Sequence, residues 1–294
     1  MKRSGAAKFP HSVQLFKFCQ KVMVHRKGGK VRDQEVGAIL NFNPSDCSHW
    51  KRGEKNVRSV FALAKLADTL KIETSLIHDI TSGSVNLEEA FFEFVEAQNL
   101  TSTLETMAEL PAATLAEIEE RIGSFVTTIQ DECDFKAPPL YLPEVMRSFA
   151  FVSSQPVDML DKLSRILRVK SNRYCIQFKK GDLKPQTRMS MVKDLARIVL
   201  QGERARFPEL GDLVKEHLAV EELLFTVNLL LPKNMLKEEL TKLDSRRNVI
   251  SELSTLFWVP KSLVGLQLQE LIRVQQTNLA VSEPTKTETI SNQL

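Results

Sequence analysis

The residues that could carry chemistry in the second half of the chain lie on a predicted helix over residues 187–200, "TRMSMVKDLARIVL". Lys193 and Arg197 are four residues apart and share one face of this helix, with Asp194 beside them. A further carboxylate, Glu221, lies in a later apolar helix. Lysine and arginine are positively charged at neutral pH and offer no lone pair to a metal ion. The set therefore leaves three alternatives open: a salt-bridge cluster with nearby carboxylates such as Asp194, a site for a small anion, or an ordinary solvated face.

The bulk composition is that of a globular protein. The 294 residues are 43% hydrophobic and 26% charged, which is enough chain for about two domains. No apolar run approaches the roughly 18 residues of a membrane-spanning helix, and the first residues lack the apolar region of a signal peptide. The four cysteines form no CxxC pair, which predicts neither a disulfide scaffold nor a cysteine-rich zinc site. We therefore expect a cytoplasmic protein.

The net charge of +3 hides an uneven distribution along the chain. Residues 1–80 hold 15 Lys/Arg against 7 Asp/Glu, residues 81–150 hold 3 against 13, and residues 151–294 hold 22 against 17. A basic N-terminal region predicts a polyanion partner such as nucleic acid, although a solvated surface would give the same composition. Charge alone leaves these two interpretations equally open.

The N-terminal region carries the patterns of four short helices. They cover residues 12–27, 32–41, 44–51 and 57–72. Asn43 stands where an N-cap belongs, Pro44 takes the first helical position, and Gly53 follows the end of the same helix. A short helix, a tight turn and a second short helix form the arrangement of a DNA-reading helix-turn-helix.

Residues 31–80 resemble the helix-turn-helix of the phage Cro and lambda-repressor type. The positions in register with that family are Gln34, Glu35, Val36, Gly37, Leu40, Asn43, Cys47, Ser48, Trp50, Arg52 and Gly53, and "LAKLADTL" (63–70) fits its closing helix. The chain departs from the family at Lys51, where an acidic residue is common, and in the turn "NFN", which has one extra residue.

This resemblance implies that the second short helix lies in the major groove of double-stranded DNA. Ser45, Asp46 and His49 would face the base edges, whereas Cys47 and Trp50 would point into the core. Backbone phosphates would be held by Asn43, Lys51, Arg52, Lys55 and Asn56. The complete DNA-binding set that the resemblance implies also includes Gln34, Pro44 and Ser48. The ordinary alternative for His49 is a solvated surface residue.

Residues 83–139 are predicted to form an acidic helical connector of two helices that are split at Pro111. Both helices have an apolar stripe, which could pack on either neighbouring domain or on a second copy of the chain. Beyond the proline-rich stretch 135–143, residues 145–154 and 173–180 have the composition of strands, and the residues between them look helical over 157–167.

Residues 140–274 resemble the ImmA/IrrE peptidase-like family in three blocks that occur in the family's order. The first block is "RMSMVKDLARIVL" (188–200), against R-F-T-x-A-H-E-L-G-H-x-L-L. The second matches at Glu221, Phe225, Leu229, Leu230 and Pro232. The third matches at Ile250, Leu253, Ser254, Phe257, Val259 and Pro260.

The chemistry of that family depends on HExxH, whose two histidines ligate zinc while the glutamate is the general base. Here the motif is replaced by "KDLAR", so that Lys193, Asp194 and Arg197 occupy the former metal-site positions. Glu221 stands at the third-ligand position, so the resemblance implies that it could join Asp194 in a salt-bridge cluster with Lys193 and Arg197. A catalytic zinc site needs three protein ligands and an open position. The resemblance therefore implies a peptidase fold without catalytic residues, metal or cofactor.

These patterns predict a mainly α protein with a small β-sheet (α+β) in the C-terminal domain and an all-α helix-turn-helix bundle at the N-terminus. The predicted domains are 1–82 (helix-turn-helix), 83–139 (connector), 140–276 (pseudo-peptidase) and 277–294 (disordered tail). The predicted function is a sequence-specific, homodimeric transcriptional regulator whose C-terminal domain serves sensing, oligomerisation or partner binding. A small anionic effector or a protein partner is left open, and no membrane is expected. The alternatives are an antitoxin-like protein-interaction module and, third, an active zinc peptidase.

Overall fold

The computed structural model describes residues 7–159, 162–170, 172–181, 183–244 and 248–282. Over these residues the chain is mainly helical and has one three-stranded sheet, which confirms the predicted fold class at this level. Two compact units are present: unit 1 is Met1–Pro111 with Phe151–Leu195, and unit 2 is Ala112–Ala150 with Ala196–Leu294. The units therefore divide the chain at points other than the predicted domain boundaries.

Unit 1 begins with six helices. They are α1 (Pro10–Lys27), α2 (Asp33–Ala38), α3 (Pro44–Arg52), α4 (Val60–Thr69), α5 (Thr74–Ser82) and α6 (Leu87–Glu109). Helix α1 is central, because it packs against α2, α3, α5 and α6. Its predicted apolar stripe is confirmed, with Leu15, Phe16 and Val22 fully buried. Helix α5 was not predicted, although its buried residues Leu76, Ile77 and Ile80 recur at helical spacing.

The sheet of unit 1 has the strand order β1-β3-β2. Strand β1 (Val152–Val157) pairs in parallel with β3 (Arg173–Lys179), and β2 (Ser164–Lys170) pairs antiparallel with β3. The strand prediction over 173–180 is confirmed. The helix prediction over 157–167 is wrong, because β2 begins inside it; residues 160 and 161 lie outside the described residues.

Unit 2 is built from helices. They are α7 (Ala112–Glu132), α8 (Leu142–Ser148), α10 (Leu218–Leu230), α11 (Lys233–Lys242), α12 (Val249–Phe257) and α13 (Lys261–Ser282). Helix α7 packs on α10 through an apolar stripe that includes Ile118 and Ile122. The strand predicted to start at Val145 is wrong over α8, where Pro143 occupies the first turn of a helix.

Helix α9 (Pro185–Arg197) carries the chain from unit 1 into unit 2 and continues as a π-helix over Ile198–Gly202. The tail predicted from residue 277 is wrong at its start, since α13 continues to Ser282; residues 283–294 lie outside the described residues. Within the described ranges no single helix is long and apolar enough to cross a membrane. One bent helix pair, Val249–Phe257 with Lys261–Ile272 at 112°, meets that criterion by length and composition alone.

Candidate nucleic-acid interface

Helices α2 and α3 approach each other closely at one point. A Cβ atom on Gly37 would lie 2.8 Å from the Cβ of Cys47, so that only glycine fits there without a shift of α3. The turn between the helices passes through Asn41, whose φ of 56° lies in the left-handed region that asparagine tolerates. The amide of Phe42 then donates to the carbonyl of Gly37 at 3.0 Å. The "NFN" turn therefore closes despite its extra residue.

The ends of α3 are set by local sequence, as predicted. The Asn43 side chain accepts a hydrogen bond from the Asp46 amide at 2.8 Å, and Pro44 follows in the first turn. Gly53 ends the helix with a φ of 73°. A Cβ atom on Gly53 would lie 2.7 Å from Val13 of α1, so this glycine also permits a close approach of the two segments.

The inner face of α3 is fixed in the core, which confirms the predictions for Trp50 and Cys47. Trp50 is fully buried, its Nε1 donates to the carbonyl of Ser12 at 2.8 Å, and its ring contacts Phe16 and Phe42 edge-on. Cys47 is 2% exposed, and burial raises the pKa of its thiol. A thiol with a raised pKa is a poor nucleophile at neutral pH, so Cys47 acts as a packing residue.

The outer face of α3 and its flanks is polar and reaches solvent. The exposed members of the implied DNA-binding set are Gln34, Asn43, Pro44, Ser45, Lys51, Arg52 and Asn56, and the half-buried members are Asp46, Ser48, His49 and Lys55. None of the predicted side chains is buried. The inner and outer faces together leave α3 anchored on one side and available to a partner on the other.

The cations of this face already contact carboxylates. Lys51 Nζ lies 2.5 Å from Asp33 Oδ2 of α2, and Lys55 Nζ lies 2.8 Å from Asp46 Oδ1. Sequence reasoning missed Asp33 in this role, because the two residues of the Lys51 pair come from different helices. The polar residue types of α2 and α3 indicated an exposed surface. They did not indicate which carboxylate each cation contacts, because that depends on how the helices cross.

Glu54, directly after α3, is shared between two side chains. Its carboxylate contacts the His49 ring and accepts from Arg52, with Arg52 Nε 3.0 Å from Glu54 Oε1. The hydrogen bond with His49 and then that with Arg52 lower the pKa of Glu54. Glu54 is therefore ionised at neutral pH and neutralises Arg52, a predicted phosphate contact.

The positive charge of the N-terminal region does not lie on α2 and α3. Residues 31–56 hold four Lys/Arg and four Asp/Glu, whereas residues 1–30 hold eight Lys/Arg and no Asp/Glu. Two of the latter, Lys21 and Arg26 of α1, lie over the rings of Phe91 and Phe94 at 4.5 and 5.3 Å, which helps α6 to pack on α1. The excess of basic residues in the first 80 residues is thus no direct argument for the helix-turn-helix.

The former metal-site positions in unit 1 have partners within that unit. Lys193 forms an ion pair with Glu96 of α6, and both side chains are mostly buried. Asp194 accepts a hydrogen bond from Ser164 at the start of β2, at 2.6 Å. The predicted partner for Lys193 is therefore wrong, because α6, which sequence reasoning could not place, supplies its carboxylate.

The former metal-site positions in unit 2, Glu221 and Arg197, also have charged partners within their unit. Glu221 is fully buried and accepts from Arg204 through both oxygens, at 2.7 and 2.9 Å, and from Arg121 at 2.7 Å. Arg197 contacts Glu222, with Nε 3.4 Å from Oε2. The predicted salt bridge of Glu221 to the cations of α9 is wrong, since two other arginines satisfy it.

The donor chemistry of these positions does not fit zinc. Lys193 and Arg197 are both engaged with carboxylates, and Glu221 is neutralised by two guanidinium groups. Among the described residues no group of three or more His, Cys, Asp or Glu side chains is arranged to hold a metal ion. The anionic ligand proposed for Lys193 and Arg197 would have to displace carboxylates that these cations already bind.

Comparison with known proteins tests neither resemblance. The chain matches no protein-family model, no curated protein and no solved structure. The helix-turn-helix and the peptidase-like domain therefore remain predictions that rest on the residues and geometry above.

Proposed function

We propose that the protein is a sequence-specific, double-stranded DNA-binding transcriptional regulator that acts in the cytoplasm as a homodimer. The observation that carries this proposal is the α2–α3 pair. Gly37 and Trp50 fix α3 against the core, and its outer face presents polar side chains to solvent. An α-helix fits the major groove of B-form DNA, where base edges present a distinct donor and acceptor pattern.

Three side chains of α3 would read bases. Ser45 is exposed in the first turn of the helix, and Asp46 and His49 follow on the same face. Serine and histidine both donate and accept hydrogen bonds, and aspartate accepts from the amino group of cytosine. Asp46 is held by Lys55, which offsets its repulsion from phosphate.

Phosphate contacts would replace two of the present ion pairs, while Lys55 stays on Asp46. Lys51 and Arg52 pair with carboxylates at exposed positions, and such pairs contribute little net stability. Their exchange for phosphate oxygens therefore costs little. Residues 31–56 themselves add no long-range attraction to DNA, because they have no net charge.

We further propose that the C-terminal part has no peptidase activity and serves sensing, oligomerisation or partner binding. Its support is the charge pairing of Lys193, Arg197 and Glu221, which leaves no set of free ligands for zinc. Stoichiometric, tightly bound zinc in the purified protein would contradict this part of the proposal.

One observation favours a second candidate function. The neutral charge of residues 31–56 suits a protein partner for α3 as well as it suits DNA. An antitoxin-like interaction module would use the same exposed face of α3. Binding of DNA with sequence preference separates the two candidates.

The test measures binding of the purified protein to the DNA upstream of its own gene and to a scrambled duplex, over a salt series. We expect a preference for the upstream DNA that falls by about tenfold or more in Ser45→Ala/His49→Ala, since removing a hydrogen bond to a base costs about 1–3 kcal/mol. The matched control is Ser75→Ala/His78→Ala, which removes the same residue types from exposed positions of α5. Equal binding of both duplexes by the wild type would overturn DNA reading and favour the protein partner.

A further inference from the structure

The hairpin formed by β2 and β3 has a higher density of net positive charge than any other 20-residue stretch of the chain. Residues 162–181 contain seven Lys/Arg and no Asp/Glu. Six of these cations are exposed, namely Lys162, Arg165, Arg168, Lys170, Arg173 and Lys180. The seventh, Lys179, is partly buried and lies 3.8 Å from Glu88 of α6.

The exposed cations of the hairpin differ from those of α3 in their partners. Arg165 Nε donates to the neutral side chain of Gln177 at 2.9 Å, and Arg168 lies over the ring of Tyr174 at 5.9 Å. Among the described residues none of the six contacts a carboxylate. The carboxylates of the described residues therefore do not neutralise these six cations, whereas Lys51, Arg52 and Lys55 are each paired.

The strand geometry places this charge on both sides of the sheet edge. Strand β2 is an edge strand, and successive side chains of a strand point to opposite faces. Arg165 stands opposite Gln177, and Arg168 stands opposite Tyr174, which lies on the other face. Positive charge on both faces of one edge suits a ligand with two flanking rows of negative charge, and a DNA groove has a phosphate backbone on each side.

The same edge is poorly suited to the main competitor, an acidic peptide that would add a strand. The pairing of β2 with β3 has a register shift between Arg168 and Lys170, and a bulge twists an edge away from strand addition. Cationic side chains along an edge also oppose pairing with a second copy of β2. Ile166, Leu167 and Val169 are exposed between the cations and could contact apolar side chains of such a peptide. The test below therefore includes an acidic peptide.

We propose that the β2–β3 hairpin binds the phosphate backbone of duplex DNA. This inference rests on the proposed function, in which DNA is the ligand, and it assigns the sequence-independent part of binding to the hairpin. The hairpin would supply the electrostatic attraction that the neutral α2–α3 pair lacks, because released counterions dominate such contacts.

The test uses the full chain with Arg165→Gln/Arg168→Gln/Lys170→Gln/Arg173→Gln and duplexes of about two helical turns. We expect binding to upstream and scrambled DNA to weaken by the same factor, about tenfold or more at low salt. The slope of log K against log salt should become shallower by about 0.9 for each phosphate that the variant no longer neutralises. The matched control, Lys136→Gln/Lys215→Gln/Lys237→Gln/Lys242→Gln, removes four exposed charges from unit 2 and should leave both quantities unchanged.

A second variant separates charge from folding. Arg165→Lys/Arg168→Lys/Lys170→Arg/Arg173→Lys keeps the charge and should bind scrambled DNA like the wild type. Unchanged affinity and slope in the glutamine variant would overturn the proposal. A second result would also overturn the proposal. If the full chain binds a poly-glutamate peptide through the hairpin cations but does not bind duplex DNA, the acidic peptide is favoured.

The two proposals can fail separately. A wild type that prefers the upstream DNA, with no effect of the hairpin variant, would overturn the hairpin and leave α3 as the reader. A wild type without sequence preference, whose binding still depends on the hairpin, would overturn DNA reading and support the hairpin. Absence of binding to either duplex would overturn both.

Discussion

Glu54 illustrates how single residues set the charge of the α3 face. It follows the helix directly and holds both His49, a predicted base contact, and Arg52, a predicted phosphate contact. Because these partners lower its pKa, Glu54 stays ionised at neutral pH. It thereby competes with DNA for two of the side chains that the proposed function needs.

We expect Glu54→Gln to tighten binding of duplex DNA several-fold. The substitution removes the carboxylate that competes with phosphate for Arg52, which should steepen the salt dependence by about one unit of slope. Fluorescence anisotropy over a salt series measures both quantities. Glu105→Gln, which removes the same charge from an exposed position of α6, is the control and should change neither. Weaker or unchanged binding by Glu54→Gln would show that this carboxylate does not oppose DNA.

The sign of the acid dependence follows from the lowered pKa of Glu54. A carboxylate with a depressed pKa in the folded state stabilises fully above its ordinary range, and this contribution is lost as the pH falls through the lowered value. The Glu54 carboxylate is therefore ionised at neutral pH and becomes protonated only in acid. The Glu54→Gln variant removes the carboxylate charge at neutral pH, where DNA binding can be measured.

Residue-level predictions succeeded where the cause is local. The cap at Asn43, the stop at Gly53 and the burial of Trp50 follow from residue types over a few positions of the sequence. The partners of Lys51 and Glu221 could not be predicted in this way. Asp33 and Arg121 reach them from other helices, and the crossing of helices depends on packing that a single sequence does not specify.

At the scale of elements, α6 shows what half of the acidic segment does. Glu89, Glu93 and Glu96 lie on one face of the helix, where they contact Lys184, Gln186 and Lys193 respectively. Glu89 also caps its own helix by accepting from the Asn86 amide at 3.1 Å. The acidic row of α6 therefore attaches the segment around α9 to unit 1 through polar contacts.

The pair of Lys193 and Glu96 should be the most sensitive of these contacts, since the two side chains are only 15% and 12% exposed. Lys193→Met leaves Glu96 without its partner and should lower the free energy of unfolding by about 3 kcal/mol. Combining it with Glu96→Leu should restore most of this stability, because a buried pair and its apolar replacement are close in stability. Urea unfolding of the two single variants and the double variant measures this coupling.

Lys17→Met is the control for that cycle, because it removes a lysine from an exposed position of α1 in the same unit. It should unfold with the wild-type midpoint. Additive effects of the two substitutions in the double variant would contradict the pairing of α6 with α9.

Elements marked by local periodicity, caps or composition could be predicted at any length, and elements that depend on non-local pairing could not. Helices α6 and α7 were predicted nearly to their ends, because Pro111 separates them and neither of their 23 and 21 residues includes a proline. Strand β2 was mistaken for a helix, since its residues are exposed on both faces and lack the alternating burial that marks a strand. Its assignment depends on pairing with β3, which local sequence does not reveal.

At the scale of the whole molecule, the compact units change which parts of the chain belong together. The α2–α3 pair and the β2–β3 hairpin were assigned to separate domains from the sequence, yet both belong to unit 1. In the functions proposed here, unit 1 contains one element that reads bases and one that binds phosphates. Unit 2 contains the buried Glu221 cluster and is then free to serve sensing or oligomerisation.

A homodimer would explain how a short reading helix reaches useful affinity. Helix α3 has nine residues and covers only one half-site, and dimers of this kind place two such helices on half-sites about 10–10.5 base pairs apart or at multiples of this spacing. We expect light scattering to give twice the chain mass of 33.3 kDa, and footprinting of the upstream DNA to show two protected half-sites.

The variant Ser45→Ala/His49→Ala should keep the dimer mass and lose the two half-sites, because it changes the reading face and no other surface. A wild-type monomer that protects a single half-site would contradict the dimer. Affinity would then have to come from one chain, through the phosphate contacts of a single α3 and through the hairpin cations. In that case removal of the hairpin cations should leave a monomer with the salt dependence of one copy of α3, whereas a dimer should retain that of two copies.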